Sequence, residues 1–113
     1  MNENIKKLEE KFKKDWEAKD WEEIWYDLEF VISNSVKKES NHHKRPDFQE
    51  IVDSLVINQF TRLKNHLKKN PNFEVTTTLA TFVHAPVWHA IHSEARRFQE
   101  QIFYPEYFEE KHD

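Results

Sequence analysis

Not one of the 113 residues is glycine, whereas average usage is about 7%. Glycine is the residue that takes αL backbone, closes tight hairpins and lets a loop approach a phosphate. Its absence excludes a Walker loop and a dinucleotide fingerprint, and it argues against a hairpin-rich β protein. Helices joined by short turns are what remains. Cysteine is absent too, which excludes a disulfide framework, a thiolate zinc site and a cysteine nucleophile. The length suits one domain with a core of moderate size. The expected fold is all-α: an irregular bundle of four principal helices plus a short helix, or a strand, near residues 77–85.

Apolar spacing places the elements. Ile5, Leu8, Phe12 and Trp16 predict a helix from about Asn4 to Ala18. Trp21, Ile24, Trp25, Leu28, Val31, Ile32 and Val36 predict a second over residues 20–38. Asp20 can cap it, and Glu23 stands where a capping box needs its acid. Only Lys19 and Asp20 separate the two stripes, which suits either one kinked helix or two packed antiparallel. Residues 39–46 are the first clear loop. Pro46 pre-sets a helix start, and Phe48, Ile51, Val52, Leu55, Val56, Phe60, Leu63 and Leu67 carry that helix to about Lys69. Ile57 falls off the stripe, which implies cover on two sides. Asn70-Pro71-Asn72 ends the helix.

Residues 73–85 alternate like a strand, yet no other segment alternates well enough to pair with them. A short helix from about Thr77 to Ala85 is the favoured reading, with a strand pair across a homodimer as the alternative. Trp88, Ile91, Ala95, Phe98 and Ile102 predict the last helix, from Pro86 to about Phe103. Residues 1–105 then make one helical domain, and residues 106–113 an acidic, aromatic tail.

Chemistry is sparse in this pattern. His89 and His92 share a helix face, and His84, just ahead of Pro86, is placed to approach them. Three imidazoles can bind zinc, but no H-E-x-x-H is present and the sequence identifies no carboxylate to hold and orient their rings. These histidines are read as polar or interfacial residues, with a metal-dependent enzyme as the remote alternative. No cofactor is expected. No serine sits in a nucleophile elbow, since that turn needs glycines.

Charge points elsewhere. Lys+Arg total 17 and Asp+Glu 21, a formal net charge of −4, which is not expected to coat nucleic acid or anionic lipid. No apolar run approaches the ~20 residues of a membrane span, and the N-terminus resembles neither a signal nor a transit peptide. A soluble, cytoplasmic protein is the expectation. Residues 20–29 hold five acids and no base, interleaved with Trp21, Trp25 and Tyr26. The tail pairs Tyr107 and Phe108 with four acids and one base. Aromatic anchors rimmed by carboxylates suit a basic partner surface. The expected function is therefore a small non-catalytic regulator, adaptor or inhibitor acting by protein–protein contact. Glu22, Glu23, Tyr26, Tyr107 and Phe108 are the candidate contacts, and a homodimer is a further option. A phage or mobile-element origin would suit the size and mild acidity. The alternative is a nucleic-acid-associated regulator using Lys37, Lys38, Lys44, Arg45, Arg62, Lys64, Lys68 and Lys69, with Arg96 and Arg97 as additions. In a bundle, those clusters fall at opposite poles.

Overall fold

The structure, a computed structural model, describes residues 3–40 and 49–103, with side chains as far as residue 93. Four α-helices make it up: α1 (Glu3–Ala18), α2 (Trp21–Ser40), α3 (Gln49–Lys69) and α4 (Leu79–Phe103). No strand occurs among the described residues. The all-α reading holds. The start of the third helix at Pro46 lies outside the described residues.

Two helices, not one kinked helix, come from the first 40 residues. The break is a Schellman cap. Asp20 N–H donates to the Asp15 carbonyl and Lys19 N–H to that of Trp16, the paired bonds that close a helix C-terminus. That motif needs one αL residue, usually glycine, and here Lys19 takes it with φ 53°. Asp20 then caps α2, its Oδ1 accepting from Glu23 N–H at 3.3 Å.

The expected short helix near residue 80 is not separate: α4 runs from Leu79 straight through Pro86. A proline interior to a helix removes one N–H, so the carbonyl four residues earlier loses its donor. Here that is Phe82. Arg62 on α3 reaches across, its guanidinium 4.1 Å from the Phe82 ring and Nη1 3.5 Å from the Phe82 carbonyl. The alternating residues before α4 form no regular element. Thr78 caps the helix instead, its hydroxyl accepting from Thr81 N–H at 3.1 Å. A long-range cap completes the job. Both Glu9 oxygens, on α1, accept from the free N–H groups of Leu79 and Ala80, at 2.6 and 3.1 Å. A carboxylate there also meets the positive end of the helix dipole.

α2 is the central helix, packed on each of the other three, and α3 also meets α4. Its buried side, Ile24, Leu28, Val31, Ile32 and Val36, joins Phe12 and Trp16 of α1, Val52, Leu55, Val56 and Leu63 of α3, and Leu79, Val83, Val87 and Ile91 of α4. Aromatics seal one end. Trp21 and Trp25 both meet Phe60 edge-on, at 5.7 and 5.0 Å between centroids. Lys64 lies over the Trp21 and Phe60 rings. These contacts set the N-terminal part of α2 against the C-terminal part of α3, so the two run antiparallel.

Candidate functional site

The outer side of α2 carries the acidic and aromatic residues that the sequence singled out. Glu22, Tyr26, Phe30, Ser33 and Lys37 recur every three or four residues. At 100° per residue they occupy a sector of about 80°, opposite the sector of Ile24, Leu28 and Ile32. Packing therefore leaves all but the half-buried Ser33 outside: Tyr26 is 53% and Phe30 44% exposed. An aromatic ring in water forgoes the ~25 cal/mol per Å² that burial would return. Two such rings one helical turn apart make a small apolar spot, bordered by the exposed carboxylates of Glu22 and Glu29. Among the described residues, no ion pair uses the Glu22 or Lys37 side chain.

Glu23 belongs to a different arrangement. Lys11 Nζ sits between Asp15, Glu23 and Asp27 at 2.8, 2.9 and 2.8 Å. Asp27 is 1% exposed, and its Oδ2 accepts no hydrogen bond. Burial pushes its carboxyl up to about 7, helped by the hydrogen bond to Asp15 and opposed by Lys11. Burial acts on Asp15 in the same direction, but hydrogen bonds from Asp27 and Lys11 outweigh it and hold that group below the usual carboxylate range. The two aspartates thus share a proton, with Asp27 the holder. Burial of Lys11 is outweighed as well, and its three acids raise its pKa. This cluster ties α1 to α2 and draws Glu23, a contact candidate by sequence, into an internal ion pair. Nothing in the sequence pattern pairs Lys11 with residues twelve and sixteen positions on; the antiparallel α1–α2 packing does.

The other candidates scatter. Tyr107, Phe108, Lys44 and Arg45 lie outside the described residues, as do the side chains of Arg96 and Arg97. Lys37 and Lys38 end α2 and are exposed, as are Lys68 and Lys69 at the end of α3. Because the helices run antiparallel, the two pairs stand at opposite poles. Lys64 covers aromatic rings, and Arg62 is held by Phe82 and by Gln59 Oε1 at 3.0 Å. Arg62 borders an open groove of about 590 Å³ with Gln59, Thr77, Thr81, Pro86 and His89.

The histidines part company too. His84 and His89 are exposed, and His89 meets the Trp88 ring edge-on. His92 stacks on Trp88 at 4.0 Å, and its Nε2 lies 3.0 Å from Glu39 Oε1. Glu39 is the carboxylate that sequence reasoning missed. It lies on α2, 53 residues away, and only the α2–α4 packing brings it there. Among the described residues, no three His, Asp or Glu side chains group so as to hold a metal ion. Of the four tryptophans, Trp16 is buried, Trp21 and Trp25 are half-buried, and Trp88 is 41% exposed. No helix among the described residues is long and apolar enough to cross a membrane. Compared with known families, curated proteins and solved structures, the chain matches none.

Proposed function

We propose that the protein is a small non-catalytic regulator or adaptor that acts by docking the outer face of α2 onto a basic protein surface. The observation that supports this reading most is the exposure of Tyr26 and Phe30 on the helix at the centre of the fold. Every other large apolar side chain of α2 packs inward or against a neighbour, so the pair is left outside by the pattern of the helix, not by fraying at an end. Aromatic anchors of this kind supply most of the energy of protein interfaces. The carboxylates beside them supply steering toward cations. Nucleic-acid binding has less behind it: the exposed lysine pairs at the ends of α2 and α3 stand at opposite poles and form no continuous basic stripe.

The test is capture by the immobilised chain at low salt. Tyr26→Ala with Phe30→Ala should abolish capture and leave the melting curve within about 0.5 kcal/mol of wild type, as expected of surface positions. Raising salt should release the bound protein, because the Debye length shrinks from ~10 Å at 0.1 M to ~3 Å at 1 M. Capture that survives both treatments would overturn the reading.

A further inference from the structure

The same face of α2 carries a cation of its own, Lys37. Its acids stand at the N-terminal end and Lys37 at the C-terminal end, with Tyr26, Phe30 and Ser33 between. The order is self-complementary when reversed. Turned about a point between Glu29 and Phe30, Glu22 falls opposite Lys37, Tyr26 opposite Ser33, and Phe30 beside its own symmetry mate. Glu22 and Lys37 are fifteen residues apart, about 22 Å along the axis, and a two-fold axis would match both pairs at once.

We propose that α2 of one copy packs antiparallel on α2 of a second copy, so that this face is the contact of a two-fold homodimer. The inference rests on the protein-contact reading above and names its partner. Four arguments carry it. Glu22 and Lys37 complement each other only in the antiparallel sense, since a parallel pair would set Glu22 on Glu22 and Lys37 on Lys37; Glu29, beside the axis, meets its own mate and is the one like-charge contact of the arrangement. Both charges are exposed, and no described residue pairs with either. Phe30, the residue nearest the axis, is apolar and 44% exposed, and an isologous contact counts it twice. A third large apolar side chain, Ile57, is exposed on the neighbouring α3. The contacts of Trp21 and Trp25 with Phe60 set the antiparallel register of α2 and α3, which brings Ile57 level with the stretch from Ile24 to Leu28. It lies on the flank of α3 that carries Phe60 and is itself 53% exposed. The apolar contact is small beside the ~1,200–2,000 Å² of a stable interface, so the dimer is a weak one that forms in the micromolar range or above and loosens with salt.

Sedimentation of the full chain over a concentration series at low and high salt is the experiment. Wild type should pass from monomer to dimer as concentration rises, and less readily in high salt. Glu22→Lys alone and Lys37→Glu alone should each weaken the dimer by about tenfold or more, since symmetry repeats each like-charge contact. An equimolar mixture of those two variants should recover it, because the mixed pair regains both opposite-charge contacts. The double variant Glu22→Lys/Lys37→Glu should recover it within one chain. Tyr26→Ser with Phe30→Ser should leave a monomer with an unchanged melting curve. A wild-type chain that stays monomeric to millimolar concentration overturns the inference, and so does a dimer that ignores these changes or a mixture that fails to recover. A strictly monomeric chain that still captures a different, basic protein through Tyr26 sinks the homodimer and keeps the docking reading. Loss of both removes the two together.

Discussion

Lys19 holds a backbone conformation that its own Cβ makes costly. An αL residue other than glycine is disfavoured by roughly 1–2 kcal/mol. Part of that is offset locally: Lys19 Nζ donates to the Trp16 carbonyl at 2.8 Å and lies 4.2 Å from the Trp16 ring centroid. Lys19→Gly should therefore raise stability by only about 0.5–1 kcal/mol, whereas Lys19→Val should lower it by about 1–2 kcal/mol. Thermal melts of the two variants check the sign. Asp27 is the second residue under tension. Its native pKa, about 7, lies above the ordinary value of ~3.9, so the folded state holds a proton that the unfolded state releases between those two pH values. The stability this group contributes is present in acid and is lost as pH rises toward and through 7. Asp15 acts with the opposite sign, and only in stronger acid, because its native pKa is depressed. Asp27→Asn removes the buried charge and keeps the shape. Its melting temperature relative to wild type should rise between pH 5 and pH 8; a gap that does not move with pH would refute the shared proton.

At the scale of elements, α4 depends on groups from two other helices. Its first free N–H groups are taken by Glu9, so Glu9→Ala should destabilise by about 1–2 kcal/mol, in the range of a lost N-cap. It should also speed hydrogen exchange at Leu79 and Ala80 before it affects the middle of α4. Exchange that speeds uniformly along the helix would mean that Glu9 acts on the whole fold instead. Farther along, Pro86 and Arg62 form a linked pair. Arg62→Met should be more damaging with Pro86 present than in a Pro86→Ala background, where the Phe82 carbonyl regains its helical donor. A double-mutant cycle should show coupling of about 0.5–1 kcal/mol, modest because the Arg62 contact is long. The stripes in the sequence located α1, α2, α3 and the body of α4 to within a few residues, because burial repeats with the helical period. They also marked a break at Pro86 that the fold does not make. Proline reads as a boundary when only local hydrogen bonds are counted, and a cation on another helix is not local.

In the whole molecule, α2 is the element that every other helix needs. Leu28 is fully buried at its centre, so Leu28→Ala should cost about 2–5 kcal/mol and lower the single cooperative melt of a small domain. Tyr26→Ala, two residues before it, should change the melt by less than about 0.5 kcal/mol. The contrast tests which side of α2 faces the core, and comparable losses at the two sites would show that the outer face is not free.

What the amino-acid order by itself determined was the class of fold and the inward face of each helix. Both follow from the absence of glycine and from apolar residues repeating at the helical period, which are local properties. The aromatic pair on the outside of α2 was half legible: Tyr26 stood out as an aromatic among acids, while Phe30, off the inward stripe, was singled out only when packing left it uncovered. The Lys11 cluster, the Glu9 cap, the Arg62 support of Phe82 and the Glu39–His92 contact were decided only by tertiary structure. Each rests on contacts between groups 12 to 71 residues apart. Periodicity says which side of a helix turns inward, but not which helix waits there, because that choice belongs to the packing of the whole chain.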